Sequence, residues 1–218
     1  MKFHLLTAIA LAAANTLPAH AALTNNAGTI AAPIAVVDFE AYDGLLTSGP
    51  VWVAADVTFT GDAGSELGAY VRDLGDNGAW GVGNRFAASG FIGELRFTFS
   101  GLSTGAGAFV NHFAVDALSG WAVVVSAYGD NNQIIETHTM TVDTAFDSYN
   151  EGSFLGITRG QADIRSISFK GVGVVMDNFT YTTPVPEPES YALMLAGLAA
   201  LGLLARRRAY AALAEGRR

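Results

Sequence analysis

The sequence has no cysteine among its 218 residues. That absence excludes a disulfide framework, a thiolate zinc site, an iron–sulfur cluster and a cysteine nucleophile. Basic residues are scarce: 12 Lys and Arg stand against 20 Asp and Glu, a formal net charge of −8. Phosphate binding needs concentrated Lys and Arg, so nucleic acid is excluded as the main partner. Charge of either sign is thin, at 15% of the chain, whereas glycine (25 residues) and aromatics (11%) are plentiful. Such a composition describes an ordered, turn-rich domain, too apolar for disorder. No internal repeat at a fixed period is visible, and no long stretch in the middle of the chain has helical periodicity.

What is present begins with two distinctive ends. Residues 1–21 carry Lys2, an apolar run from Leu5 to Ala14, and then Ala19-His20-Ala21. One positive charge, about ten apolar residues and a small-x-small end make a secretory signal peptide. Ala19 and Ala21 are its cleavage residues, which makes Ala22 the mature N-terminus. At the other end, residues 184–190 read Pro-Val-Pro-Glu-Pro-Glu-Ser. Proline fixes φ and removes backbone donors, so this is a stiff, extended linker. Tyr191–Ala205 is uncharged throughout and is followed at once by Arg206-Arg207-Arg208. As a helix those apolar residues rise about 22 Å, short against a hydrocarbon core of about 30 Å. The positive-inside rule keeps the arginines cytoplasmic and the preceding domain outside.

Pro186-Glu187-Pro188, a short apolar span and an arginine cluster, in that order, resemble the PEP-CTERM sorting tail of Gram-negative bacteria. The resemblance implies an exosortase, an integral-membrane protease, as the partner that recognises and cuts the tail. It also implies delivery to the cell surface or an exopolysaccharide matrix after transient anchoring in the inner membrane. Residues 191–208 form the sorting helix with its basic stop, and 209–218 extend beyond the usual end of such tails.

Between the ends, residues 22–183 hold six basic and 17 acidic residues, a net charge of −11. Acidity of that degree favours solubility and cation binding over docking on anionic lipid. The segment divides into short β-rich runs bounded by Gly, Asp and Asn. These runs are 33–39, 51–59, 92–99, 108–116, 121–128, 133–140, 152–157, 164–169 and 172–181. Gly129-Asp130-Asn131-Asn132 tolerates positive φ and predicts a hairpin turn. The glycine-rich region 61–90 reads as loops on the rim, with one short strand at 67–72. Strands at this spacing without intervening helices predict an all-β, two-sheet antiparallel sandwich with jelly-roll-like topology. Val37–Glu40, Gly152–Ile157, Ile164–Phe169 and Val174–Phe179 are similar in order to the jelly-roll domains of many PEP-CTERM proteins. Those domains look like carbohydrate-binding modules, in which a structural calcium often ties the first strand to the last. Glu40 and Asp177 match those positions.

Calcium takes six to eight oxygen ligands. Asp38, Glu40 and Asp43 near the start of the domain, with Asp177 and Asn178 near its end, supply oxygen donors, and Asp38 and Glu40 share a strand face. Trp80, flanked by Gly78 and Gly81 in the rim region, is the candidate for sugar stacking, against the favoured reading of a loop anchor folded back over the sandwich edge, while Trp52 and Trp121 sit in apolar runs and read as core. Catalysis finds little support. Only His112 and His138 survive removal of the signal peptide, no Gly-x-Ser-x-Gly elbow is present, and no carboxylate pair stands out. The sequence therefore predicts an exported, non-catalytic surface or matrix protein. Two alternatives remain open: a carbohydrate-binding module with structural calcium, and a polysaccharide-cleaving enzyme.

Overall fold

The computed structural model describes residues 21–81, 84–113, 121–183 and 194–202. Sixteen strands, numbered along the chain, form two large antiparallel sheets and one small one. The first large sheet runs in the order β1 (Ala21–Thr24), β14 (Ser153–Arg159), β11 (Gly105–His112), β16 (Val174–Thr182), β9 (Phe86–Ala88), β6 (Glu66–Ala69) and β3 (Leu45–Leu46). β2 (Ile34–Val37) joins it beside the C-terminal half of β16, pairing Val37 with Phe179. The second sheet runs β13 (Ile134–Thr141), β12 (Ala122–Tyr128), β15 (Ile164–Val172), β10 (Ile92–Ser103), β5 (Val57–Thr60) and β4 (Val51–Ala54). β7 (Arg72–Asp73) and β8 (Ala79–Trp80) form a two-stranded ribbon. From β10 onward the chain passes repeatedly between the sheets, the winding expected of a jelly roll. The all-β sandwich read from the sequence is therefore the observed architecture.

Alternation explains why these residues pair as they do. Along β10 the odd positions Leu95, Phe97 and Phe99 are buried, and the even positions Glu94, Arg96 and Thr98 face outward. A period of two is what a strand with one face on a core requires. The strands of sheet one are more continuously apolar: β16 buries every residue except Asn178. It lies mid-sheet, with β11 on one side and β2 and β9 on the other.

The core is an aromatic spine between the sheets. Phe97 of β10 stacks on Phe179 of β16 with ring centroids 4.0 Å apart and planes 17° apart. Phe59 and Phe39 flank Phe97 at 5.6 and 6.1 Å, and Tyr181 lies 5.6 Å from Phe179. The Tyr181 hydroxyl donates to Asp56 Oδ1 at 2.6 Å, tying the β4–β5 turn of sheet two to the last strand of sheet one.

Three expectations change. The run 51–59 is a hairpin rather than one strand, because the chain turns at Ala55 and Asp56. The region 61–90 is more than rim loop: β6 and β9 belong to sheet one, and Leu67, Phe86 and Ala87 are fully buried. Trp52 is 63% exposed and Trp121 40% exposed, so neither is core. Trp52 sits on the outer face of edge strand β4, opposite Thr58.

Truncating Phe97 removes a ring packed against three others, so Phe97→Ala is expected to lower unfolding free energy by about 3–5 kcal/mol. Trp52→Ala, at an exposed edge, is expected to cost less than about 0.5 kcal/mol. Urea denaturation of both variants checks the pair, and equal losses would refute this assignment of the core.

Candidate functional site

The acidic residues singled out at the two ends of the domain come together where β2 meets β16. Asp38 and Glu40 follow β2 directly, with Phe39 between them buried and held at φ 57°. A positive φ is unusual for a bulky residue; here it turns the Phe39 ring inward onto Phe97 and leaves the flanking carboxylates outside. Asp177 lies on β16, 2% exposed. Its Oδ2 accepts from Asn84 Nδ2 at 2.7 Å and from Asn178 Nδ2 at 3.3 Å, and its Oδ1 accepts from the Asn178 backbone N–H at 2.6 Å. Glu40 Oε1 accepts from the Arg85 backbone N–H at 2.7 Å, and Asp38 Oδ1 from the Glu40 N–H at 3.2 Å. Burial pushes the Asp177 carboxyl up to about 6, against the pull of its hydrogen bonds, and the charges of Glu40 and Asp38 add to the rise. Beside it, Phe109, Asn150, Glu151, Gly152 and Asn178 line a cleft of about 350 Å³.

Tested as a calcium site, this cluster has oxygen donors and negative charge, the chemistry a hard cation selects. Among the described residues none of Asp38, Glu40 and Asp177 has an ion-pair partner, since the Arg85 guanidinium pairs with Asp43 instead, at 2.8 Å. No three acidic or histidine side chains among the described residues converge as a ready-made cage, however. Asp38, Glu40 and Asp177 are the residues that would hold the ion, with the side-chain oxygens of Asn84 and Asn178 beside them. Asn84 had no signal in the sequence, because it lies far from β16 in the chain and meets Asp177 only through folding.

Trp80 is not a stacking platform. It is 1% exposed, packs edge-on against Phe86 at 5.4 Å, and donates its indole N–H to the Glu151 carbonyl at 2.5 Å. The flanking glycines permit close packing instead of exposure. Gly78, at φ 89°, lies where a Cβ would collide with the Ser148 carbonyl, so the loop 144–149 closes directly over this segment. The two histidines stay on separate sheets. The His112 ring is buried, with Nδ1 2.7 Å from the Val172 carbonyl and Nε2 2.9 Å from that of Trp121. His138 Nε2 lies 2.6 Å from Glu136 Oε1, a close contact without hydrogen-bond geometry.

Of the terminal residues, Ala21 opens β1, whereas Ala19, Pro186, Glu187, Pro188, Arg206, Arg207 and Arg208 lie outside the described residues. Residues 194–202 form a helix exposed at every position. No helix among the described residues is long and apolar enough to cross a membrane. Residues 184–208 match the family model for the PEP-CTERM protein-sorting motif. The chain carries a PEP-CTERM sorting signal. No curated protein matches the chain. Among solved structures, the chain is similar to the K2 cleaved adhesin domain of Lys-gingipain, with a TM-score of 0.42 and 11% identity, covering 69% of this chain and 99% of that one.

A PEP-CTERM signal marks an exported protein that an exosortase, a membrane protease, sorts at the membrane to the cell surface. The signal begins directly after Thr183, whose N–H donates to the Pro33 carbonyl at 2.8 Å, the last tie to the sandwich among the described residues. The acidic cluster is a separate feature, inside the domain that the PEP-CTERM signal delivers.

The cluster makes a prediction with a definite sign. Folded Asp177 keeps its proton up to about pH 6, whereas the unfolded chain gives it up near 3.8. Its contribution to stability is therefore complete below the unfolded value and is lost as pH rises through 6, by about 3 kcal/mol. Melting curves from pH 4 to pH 7.5 should show the fall, and Asp177→Asn should flatten it. Millimolar calcium should raise the melting temperature at pH 7.5 and do much less at pH 5, because the ion binds the ionised carboxylate. A melting temperature indifferent to calcium at both pH values would remove the ion from this site.

Proposed function

We infer that the chain is an exported, non-catalytic surface or extracellular-matrix protein, associated with exopolysaccharide and delivered by its PEP-CTERM tail. The observation that carries this reading is the sorting motif at 184–208, placed directly after the last strand of a β-sandwich. The signal peptide starts translocation through the Sec pathway of a Gram-negative cell. The apolar span 191–205 stops it in the inner membrane, and Arg206–Arg208 hold the end inside by the positive-inside rule. Pro186-Glu187-Pro188 then presents extended backbone, the form a protease binds as an added strand.

Several observations support a role without catalysis. Asp177 has a raised pKa, the property of a general acid, but at 2% exposure no glycosidic oxygen reaches it. Both ring nitrogens of His112 face backbone carbonyls, and the residue is buried, which keeps the ring away from any substrate. Neither Asp177 nor His112 therefore offers a centre for polysaccharide cleavage.

The second reading is a carbohydrate-binding module with structural calcium, and the nearness of the Glu40 and Asp38 charges to buried Asp177 favours its calcium part. Its aromatic contact would fall on an exposed ring such as Trp52 or Tyr70 rather than on Trp80.

The intact mass of the protein recovered from surface and membrane fractions of its own host checks the delivery. The expected mass begins at Ala22 and ends close to Pro188. A mass that still includes Arg218, found only in the inner membrane, would make the tail a permanent anchor. Purified domain should retard on polysaccharide gels without releasing reducing ends, and release of reducing ends would overturn the non-catalytic assignment.

A further inference from the structure

Two rows of residues cross the strands on the outer face of sheet two. In the first, Trp52 pairs with Thr58, Thr58 with Thr98, Thr98 with Ser166 and Ser166 with Tyr128. Two residues along each strand, Thr60 pairs with Arg96, Arg96 with Ser168, Ser168 with Ser126 and Ser126 with Thr137. Residues two apart on a strand share a face. The alternate positions Phe59, Phe97, Ile167 and Val125 lie in the core, so both rows lie outside it. Eight of these ten side chains carry a hydroxyl, and the other two are Trp52 and Arg96. At about 4.8 Å between strands, each row is about 19 Å long.

Charge on this face is sparse and balanced, although the domain holds 17 acidic against six basic residues. Besides Arg96, its strands carry Glu94 and Lys170, which pair in register, and Asp62 borders it after β5. Arg96 and Lys170 thus offset Glu94 and Asp62. At one end Arg165 Nε donates to Asp130 Oδ1 at 2.7 Å, which neutralises both. Asp56 is turned inward to the Tyr181 hydroxyl. Glu136 and His138 alternate with Thr137 on β13 and so lie on its other face. A polyanion gains no net attraction from such a surface, whereas an uncharged, hydroxyl-rich chain loses nothing there.

Arg96 is held rigidly yet keeps one edge free. Its guanidinium lies 3.9 Å from the centre of the Tyr128 ring. Nε donates to Ser166 Oγ at 3.0 Å, and Nη2 donates to the same oxygen at 2.7 Å and to Asn132 Oδ1. Nη1 has no partner among the described residues. The other arginines of the domain pair with carboxylates: Arg72 with Glu66, Arg85 with Asp43, Arg159 with Asp163 and Arg165 with Asp130. The Glu94 carboxylate, two residues from Arg96, also has no partner among the described residues. Arg96 and Glu94 line a cleft of about 320 Å³ with Thr60, Gly61 and Asp62. Asp62 is already engaged, accepting from the N–H groups of Gly64 and Gly90 and from Ser65 Oγ. A fixed donor beside a free acceptor matches two neighbouring hydroxyls, each of which can donate and accept. Trp52, 63% exposed, offers a flat apolar ring about 12 Å away across two strands.

We propose that the outer face of sheet two binds an uncharged polysaccharide laid across the strands. One sugar ring stacks on Trp52, and neighbouring hydroxyls further along the chain bond Arg96 Nη1 and the Glu94 carboxylate. The proposal rests on the reading that the protein associates with exopolysaccharide, and adds the surface and the charge class of the glycan. The test uses protein purified from its own host, titrated calorimetrically with the host's purified exopolysaccharide. Affinity should change less than about two-fold between low salt and about 0.5 M salt, because no ion pairs form. Trp52→Ala and Glu94→Gln should each weaken binding about ten-fold. Tyr70→Ala, which removes an exposed ring elsewhere, should weaken it less than about two-fold. Equal melting temperatures show that the variants fold. A wild-type protein that does not bind the exopolysaccharide would sink both the association and this proposal. Binding that survives Trp52→Ala and Glu94→Gln would overturn the assigned surface alone. Binding lost at high salt would overturn the uncharged ligand.

Discussion

The fold depends on the stack of Phe97 on Phe179. These two rings come from different sheets, and their 4.0 Å centroid separation is the closest aromatic contact in the core. Around them Phe39, Phe59, Phe99 and Tyr181 complete an apolar layer drawn from both sheets. Aromatic rings bury large areas and lock into few arrangements, so they fix the spacing and rotation of the sheets together. The local strain at Phe39 follows from the same layer. Its backbone takes a left-handed conformation so that the ring can join the core, and this is what throws Asp38 and Glu40 out beside Asp177. The acidic cluster is thus a by-product of core packing as much as a site in its own right.

The sorting tail and the domain obey different kinds of constraint. A PEP-CTERM tail is read locally, as a proline-rich segment, an apolar span and a basic stop in fixed order, so sequence alone displays it. The domain is read only through long-range pairing. Val37 meets Phe179 across most of the domain, and Trp80 meets Glu151 from 71 positions away. The all-β sandwich was nevertheless legible, because alternation in β10 and β15 and the turn at Gly129–Asn132 are also local signals.

The aromatic residues show where local reading stops. Trp80 stands between glycines and was read as a stacking ring or, preferably, a loop anchor folded over the sandwich edge, whereas Trp52 and Trp121 stand in apolar runs and were expected to be buried. The structure makes Trp80 the anchor and inverts the other two. Glycine next to Trp80 admits a neighbouring loop rather than solvent, and the apolar run around Trp52 belongs to an edge strand whose outer face is wet. In contrast, the pairing of Glu40 with Asp177 was legible through resemblance, since a first strand lying on a last strand is a topological habit. Asn84, which donates to Asp177, lies in a loop with no pattern to mark it.

The position of β16 governs the order of events in time. The last strand of the domain lies inside sheet one, bonded to β11 on one side and to β2 and β9 on the other. Until residues 174–182 arrive, β2 and β9 lack the partner that places them in the sheet, and Phe97 lacks the ring on which it stacks. Contacts this distant in sequence form slowly, because the intervening chain must first be closed into a loop. A chain emerging from synthesis therefore cannot finish folding early. The residues that complete the sandwich are followed within ten positions by the apolar span that begins at Tyr191. The finished domain first exists only when its sorting signal is about to be made.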